Sequence, residues 1–309
     1  TEDRNYGDRV TAVEPGGNEP IPTAERHGRP RQLFWTWTSP NLEFATVFVG
    51  VLSVSAFGLT FPQAVAAILL GNGLSALAHG ALSARAPSLG VPQMVLGRAA
   101  FGYRGNAVPS GLMTITSGFG WFAVNSVSAA FALESLTGMP AAAWLVVVVL
   151  VQIAIAFFGH NLVQAFERFA FPVLAVVFAI GAVIVLAQSD PSFVPEDGGT
   201  GGLGGFLLTV GAVVGYTAGW TPYAADYARY LPAGSSRART GLAAGLGLFG
   251  STSVLMIVGA ASVSATAAAG VDSENPATAF VGVLPGVLAA LTLLAIALGA
   301  VASSVSAAS

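Results

Sequence analysis

FATVFVGVLSVSAFGLTFPQAVAAILLGNGLSALA, residues Phe44 to Ala78, runs for 35 positions without a charge. A helix crosses a bilayer with about 20 apolar residues, so this run supplies most of two spans, and Gly58 and Pro62 divide it. Only helices and closed barrels satisfy their backbone groups in lipid. The run is too long and too continuously apolar for the roughly 10-residue alternating strands of a barrel. The fold class expected is therefore an all-α polytopic membrane protein. The spacing places span 1 over Trp35–Phe57, span 2 over Pro62–Ser83, span 3 over Gly105–Leu133 and span 4 over Ala141–Gly159. Span 5 follows over Phe169–Gln188, span 6 over Gly202–Ala225, span 7 over Thr240–Val263 and span 8 over Thr278–Ala307.

Composition agrees. Of 309 residues, 54% are hydrophobic and 9% charged, against roughly 25% charged in soluble domains, too few to coat a soluble fold of this size. The absence of cysteine excludes disulfides, thiolate metal sites and cysteine nucleophiles. Residues 1–33 carry six acids and five arginines and have no apolar stretch of the kind a signal peptide needs. They read as a disordered cytoplasmic tail, with residues 34–309 as the transmembrane domain.

The arginines test the span map. There is no lysine, and all 12 basic residues fall on one side of an eight-span arrangement: before span 1, between spans 2 and 3, between 4 and 5, and between 6 and 7. The opposite connections hold only acids, among them Glu134, Asp190 and Glu196. The positive-inside rule then puts the N-terminus in the cytoplasm of an inner-membrane protein. The chain stops at Ser309, in or just past span 8, so a C-terminally truncated piece is expected.

Two spans are interrupted. Span 1 contains Trp35-Thr-Trp-Thr-Ser-Pro-Asn-Leu-Glu43 and span 6 contains Gly215-Tyr-Thr-Ala-Gly-Trp-Thr-Pro222. Proline removes a backbone donor and clashes with the preceding turn. Broken helices at corresponding places in two halves point to a transporter's central site; the bland alternative is a pair of ordinary kinks. Glu43 is the one acid deep in an apolar run. A charge there costs roughly 2.5–3.5 kcal/mol on insertion scales, so it binds a cation, carries a proton, bonds a substrate N–H, or sits at the interface held by an arginine of the tail. Trp121 and Asn125 stand four apart and share a helix face. An indole stacks on a flat ring and a carboxamide bonds its edge; the same pair also serves as a helix contact. His79 and His160 lack a metal-binding i,i+4 partner, and Asp226 and Arg229 read as a local ion pair. Gly211, Gly215 and Gly219, four apart, permit close helix packing. Gly199-Thr-Gly-Gly-Leu-Gly204 fits GxGxxG, but no strand precedes it, so it is no dinucleotide site. No nucleic-acid patch, hydrolase motif or nucleotide loop is present, and neither an enzyme nor a cofactor is expected.

Four stretches carry a family resemblance: Trp37-Thr-Ser-Pro-Asn41; Gly90-Val-Pro-Gln-Met-Val-Leu-Gly-Arg-Ala-Ala-Phe-Gly-Tyr-Arg-Gly-Asn106; Gly120-Trp-Phe-Ala-Val-Asn125; and Gly219-Trp-Thr-Pro-Tyr-Ala-Ala-Asp-Tyr-Ala-Arg-Tyr-Leu-Pro232. From about Trp35 onward the chain resembles the nucleobase–cation symporters, in particular the purine–cytosine permeases. The resemblance implies a leucine-transporter-type fold of 12 helices with 1–5 and 6–10 as inverted repeats, about eight of them present here. It implies substrate contacts at Trp121 and Asn125, the latter shorter than the family's frequent Gln, and at a span 6 aromatic, Tyr216 or Trp220. Glu43 in the span 1 break joins them. The family's span 8 amide falls at about Ser309, where no amide stands. For a cation the resemblance implies span 1 carbonyls from Asn41 to Phe44, the Ala300 carbonyl, and the hydroxyls of Ser303 and Ser304. Those hydroxyls favour Na+; Glu43 permits H+.

The expected function is import of cytosine or a purine with a cation, Na+ before H+, by alternating access. The alternatives are a symporter of this fold for amino acids, hydantoin or allantoin, or a vitamin, and a non-transporting membrane fragment. The partners expected are a nucleobase, a monovalent cation and the bilayer, with the oligomeric state open.

Overall fold

A computed structural model describes residues 19–158, 175–195, 201–268 and 276–308. Among them every regular element is helical. The N-terminal group is α1 (Gln32–Thr38), a 3-10 turn Ser39–Asn41, α2 (Phe44–Ser55) and α3 (Phe61–Ser83). Three short helices follow, α4 (Ala86–Leu89), α5 (Gln93–Leu96) and α6 (Arg98–Gly105). Then come α7 (Ala107–Ile115), a π-helical turn Thr116–Trp121, α8 (Phe122–Thr137) and α9 (Ala141–Phe158). The rest are α10 (Ala175–Gln188), α11 (Gly202–Ala218), α12 (Arg237–Ala268), α13 (Pro276–Val281) and α14 (Gly286–Ala308).

Three stretches, Phe61–Leu89, Gly202–Tyr230 and Arg237–Ala267, are long and apolar enough to cross a membrane. Shorter apolar helices include Phe44–Ser55, Ala175–Gln188 and Gly286–Val301. Interruption shortens Phe44–Ser55. Span 1 divides into α1 and α2 around Pro40, and span 3 into α7 and α8 around the π turn. Span 8 was expected as one helix from Thr278. It is two, because Pro285 lacks the N–H that a continuous helix would need there; α14 begins at Gly286. Span 6 was expected to reach Ala225, but its α-helix ends at Ala218, and 3-10 turns at Thr221–Tyr223 and Ala228–Tyr230 continue the chain. His160 lies outside the described residues.

Contacts group the chain into two compact units. The first comprises Thr1–Asn41, Gly71–Thr114 and Val214–Thr252. Its core holds Leu33, Trp37, Ala86, Ala225, Leu231 and Leu248. The part of the expected tail that is described is bonded into it. Ile21 is buried and its N–H donates to the Gly90 carbonyl at 3.0 Å. Arg26 donates to the Pro87 carbonyl at 2.5 Å, and the His27 N–H to that of Tyr230 at 2.7 Å.

The second unit comprises Leu42–Leu70, Ile115–Val213 and Ser253–Ser309. Here α8 packs on α9 and α14, and α13 on α2 and α8. Of the GxGxxG look-alike, Gly201 has a packing role, which it shares with Gly205 just beyond the motif. A Cβ on Gly201 or Gly205 would strike the Phe57 carbonyl, and the Gly201 N–H donates to the Gly58 carbonyl at 3.3 Å. By contrast, Gly211 and Gly215, expected to pack closely, have nothing within 4 Å of an added Cβ among the described residues.

Candidate functional site

Within the first unit the two helix breaks meet. Pro40 cannot donate to the carbonyl of Thr36, and the Ser39 hydroxyl reaches that carbonyl instead, at 3.4 Å. One residue on, the Asn41 Nδ2 donates to the Trp37 carbonyl at 2.8 Å. The free face of the same amide accepts from span 6: Trp220 Nε1 donates to Asn41 Oδ1 at 3.0 Å. The second break repeats the device. Pro222 orphans the Ala218 carbonyl, and the Thr221 hydroxyl caps it at 2.6 Å.

Aromatic rings hold this meeting point. Trp37, fully buried, stands edge-on to His79 at 4.2 Å between ring centres, to Tyr227 at 5.3 Å and to Trp220 at 6.1 Å. One turn before the break, Thr217 donates to Asn72 Oδ1 of α3 at 2.6 Å, both residues fully buried. The sequence reading missed Asn72 and Thr217, and it quoted Trp37 without giving it a role. Its available signal was an asparagine alone in the middle of the apolar α3. Tyr216 is buried on regular α-helix, whereas Trp220 lies in the break, half-buried. Asp226 Oδ1 accepts from the Gln93 N–H at 2.8 Å, docking the short helix α5.

Within the second unit, Trp121 closes the π turn and Asn125 follows on α8. The interval between them is α-helical, so the four-residue spacing keeps both on one face. Trp121 is half-buried and Asn125 is 1% exposed. Asn125 Nδ2 has no hydrogen-bond partner among the described residues. π turns are rare and gather at functional sites. α14 packs on both the π turn and α8, and it carries the buried Ala300. A second buried link, Ser126 Oγ to Gln152 Oε1 at 2.7 Å, ties α8 to α9.

Glu43 is buried, with extended backbone (φ −137°, ψ 162°) just ahead of α2. Phe44 opens that helix, buried, with its ring 6.4 Å from those of Phe48 and Phe280. Ser303 and Ser304 lie on α14 with side chains outside the described set, and Ser309 lies outside the described residues. No cluster of three His, Cys, Asp or Glu suited to a metal occurs among the described residues. Outside the spans, Asp190 accepts from the Ser192 hydroxyl and N–H, which hold its carboxyl below the usual range.

Residues 20–309 match the family described as permease for cytosine/purines, uracil, thiamine, allantoin. YxlA of Bacillus subtilis, which carries a purine-cytosine permease name, is 33% identical over 224 residues, covering 72% of this chain and 48% of its own. The purine-cytosine permease fcyB of Emericella nidulans is 29% identical over 259 residues, covering 82% of this chain and 50% of its own. The chain thus spans about half the length of the curated relatives it matches. Among solved structures, the inward-facing conformation of Mhp1 superposes with a TM-score of 0.73 at 21% identity, over 97% of this chain and 67% of that one. A closed, bromovinylhydantoin-bound form of Mhp1, titled a nucleobase-cation-symport-1 family transporter, gives 0.69 at 24%, over 96% and 67%. This likeness shows the leucine-transporter-type helical fold.

Proposed function

The chain belongs to the nucleobase–cation symporters, in the purine–cytosine permease branch, and from that premise we propose that it is the transport core of a secondary importer of a nucleobase. It is a multi-pass membrane protein of a permease family, not an enzyme family. The observation that carries the reading is Asn125. A buried amide donor left without a partner costs about 1–3 kcal/mol; Asn125 Nδ2 has none among the described residues, and it stands one turn from an indole on the same helix face. A planar base answers both, with its face on Trp121 and a ring or carbonyl acceptor at Nδ2.

Trp220 is the span 6 aromatic of this reading, since it lies in the break while Tyr216 lies on regular helix. Glu43 and a residue at about Ser309 complete the substrate contacts. The cation is Na+ rather than H+, held by carbonyls from Asn41 to Phe44, by Ala300, and by Ser303 and Ser304. It is cargo, favouring the substrate-binding state through its differential affinity, and transport runs by alternating access. The one-sided arginines place the N-terminus in the cytoplasm, with residues 34–309 as the transport domain.

Uptake of radiolabelled cytosine, adenine, hypoxanthine, uracil and hydantoin tests this, in cells expressing the full reading frame, with and without sodium at two pH values. Hydantoin stays in the panel because a relative named hydantoin permease is 26% identical over 178 residues. Saturable, sodium-dependent uptake of one base is expected. Trp121→Ala or Asn125→Ala should remove it while the protein still reaches the membrane, and Asn125→Gln should retain it. Wild-type affinity in either alanine variant would refute the assigned contacts, and uptake that follows pH would move the coupling to Glu43.

A further inference from the structure

Helices α3 and α12 touch backbone to backbone. A Cβ on Gly80 would lie 2.7 Å from the Gly241 carbonyl oxygen, and one on Gly245 would lie 3.0 Å from that of Ala76. On the outer side of this contact line the side chains stand apart and leave a groove of about 630 Å³. Leu77, Leu242 and Leu246 wall it, all more than half exposed. Phe249 and Gly73 close one end, and Arg237 stands at the other.

Two features identify the occupant. The first is length. Arg237 and Phe249 are twelve residues apart on one helix, about 18 Å at 1.5 Å per residue. That is close to one leaflet of a hydrocarbon core about 30 Å thick. The second is charge. Arg237 is exposed, with no side-chain hydrogen bond or ion pair among the described residues, and no acid lines the groove. Arg85 and Arg239 adjoin the lining residues Ala84 and Ala238 in sequence and are exposed too. The first turn of α12 adds backbone N–H groups at the same end.

We propose that the groove binds one acyl chain of an anionic phospholipid whose phosphate rests on Arg237. Lipid against lipid has no hydrophobic driving force, so the gain is the fit of a chain into a trough of small residues. The headgroup charge makes the site selective, as basic pockets at the ends of membrane helices do.

Native mass spectrometry of the full-length protein in mild detergent tests this, titrating phosphatidylglycerol against phosphatidylcholine of the same chains. Wild type should retain phosphatidylglycerol preferentially. Arg237→Gln should weaken that lipid about fivefold, the effect of one basic side chain at a membrane surface, and leave phosphatidylcholine unchanged. Arg237→Lys should keep most of the preference, which separates lost charge from misfolding. Ala81→Phe, filling the trough on its exposed side, should weaken both lipids, and inorganic phosphate should compete with neither. Equal retention of the two lipids by wild type, undiminished phosphatidylglycerol binding by Arg237→Gln, or a dimer that covers the groove without lipid would each overturn the proposal.

Discussion

The two helix breaks use the same dipeptide logic to different ends. In Ser39-Pro40 and Thr221-Pro222, a proline orphans the carbonyl four residues back, and the hydroxyl just before the proline turns to cap it. In span 1 the chain recovers at once: Glu43 is extended, and α2 then runs for 12 residues. In span 6 no α-helix resumes before α12, and the chain descends by 3-10 turns. The difference lies in what surrounds each proline. Span 1 has Asn41, whose one amide closes its own helix and receives the Trp220 indole. Span 6 has Gly219 in the turn and is steadied by α3, through Asn72 to Thr217 and through the Ser83 hydroxyl to the Ala224 carbonyl at 2.7 Å. One break is held from within, the other by its neighbour.

The largest effect should come from Asn41→Leu, which removes both bonds of the shared amide. Membrane hydrogen bonds average about 0.6 kcal/mol and reach about 1.7, so a loss of about 1–3 kcal/mol is expected from two of them in a fully buried residue. It would appear as a lower thermal midpoint of the detergent-purified protein together with weakened uptake. An unchanged midpoint would mean that the two breaks do not depend on each other through this residue. Next, Thr221→Val deletes the 2.6 Å cap and should cost about 1 kcal/mol. Ser39→Ala deletes only the 3.4 Å contact and should fall within about 0.5 kcal/mol. Denaturation of the two variants side by side checks the order; a larger loss at Ser39 would reverse the assignment of which hydroxyl caps its helix.

Much of this was legible along the chain. Pro40 and Pro222 mark where each helix must fail, because the missing N–H is a local fact. Charge-free runs gave the expected spans, and the alternation of arginine-bearing and acidic connections tested them. The four family motifs lead to the same family that the comparisons show. Other features were not legible. Pro285 splits span 8, although its setting in a long apolar run hid the turn. The π turn before Trp121 has no sequence signature, since it differs from α-helix only in which carbonyl each N–H reaches. Glycine spacing did not tell the positions apart: Gly211 and Gly215 have nothing near an added Cβ among the described residues, while Gly201 and Gly205 let a backbone carbonyl approach.

By itself, the sequence determined the helical membrane class, the two breaks at Pro40 and Pro222 and the family, for these follow from apolar length, missing donors and motif identity, all local properties. Only the tertiary structure decided which partner each buried polar group found: Trp220 for Asn41, Asn72 for Thr217, and for Asn125 Nδ2 none among the described residues. A hydrogen bond between residues 179 apart in sequence depends on how helices pack, and no local pattern encodes that distance.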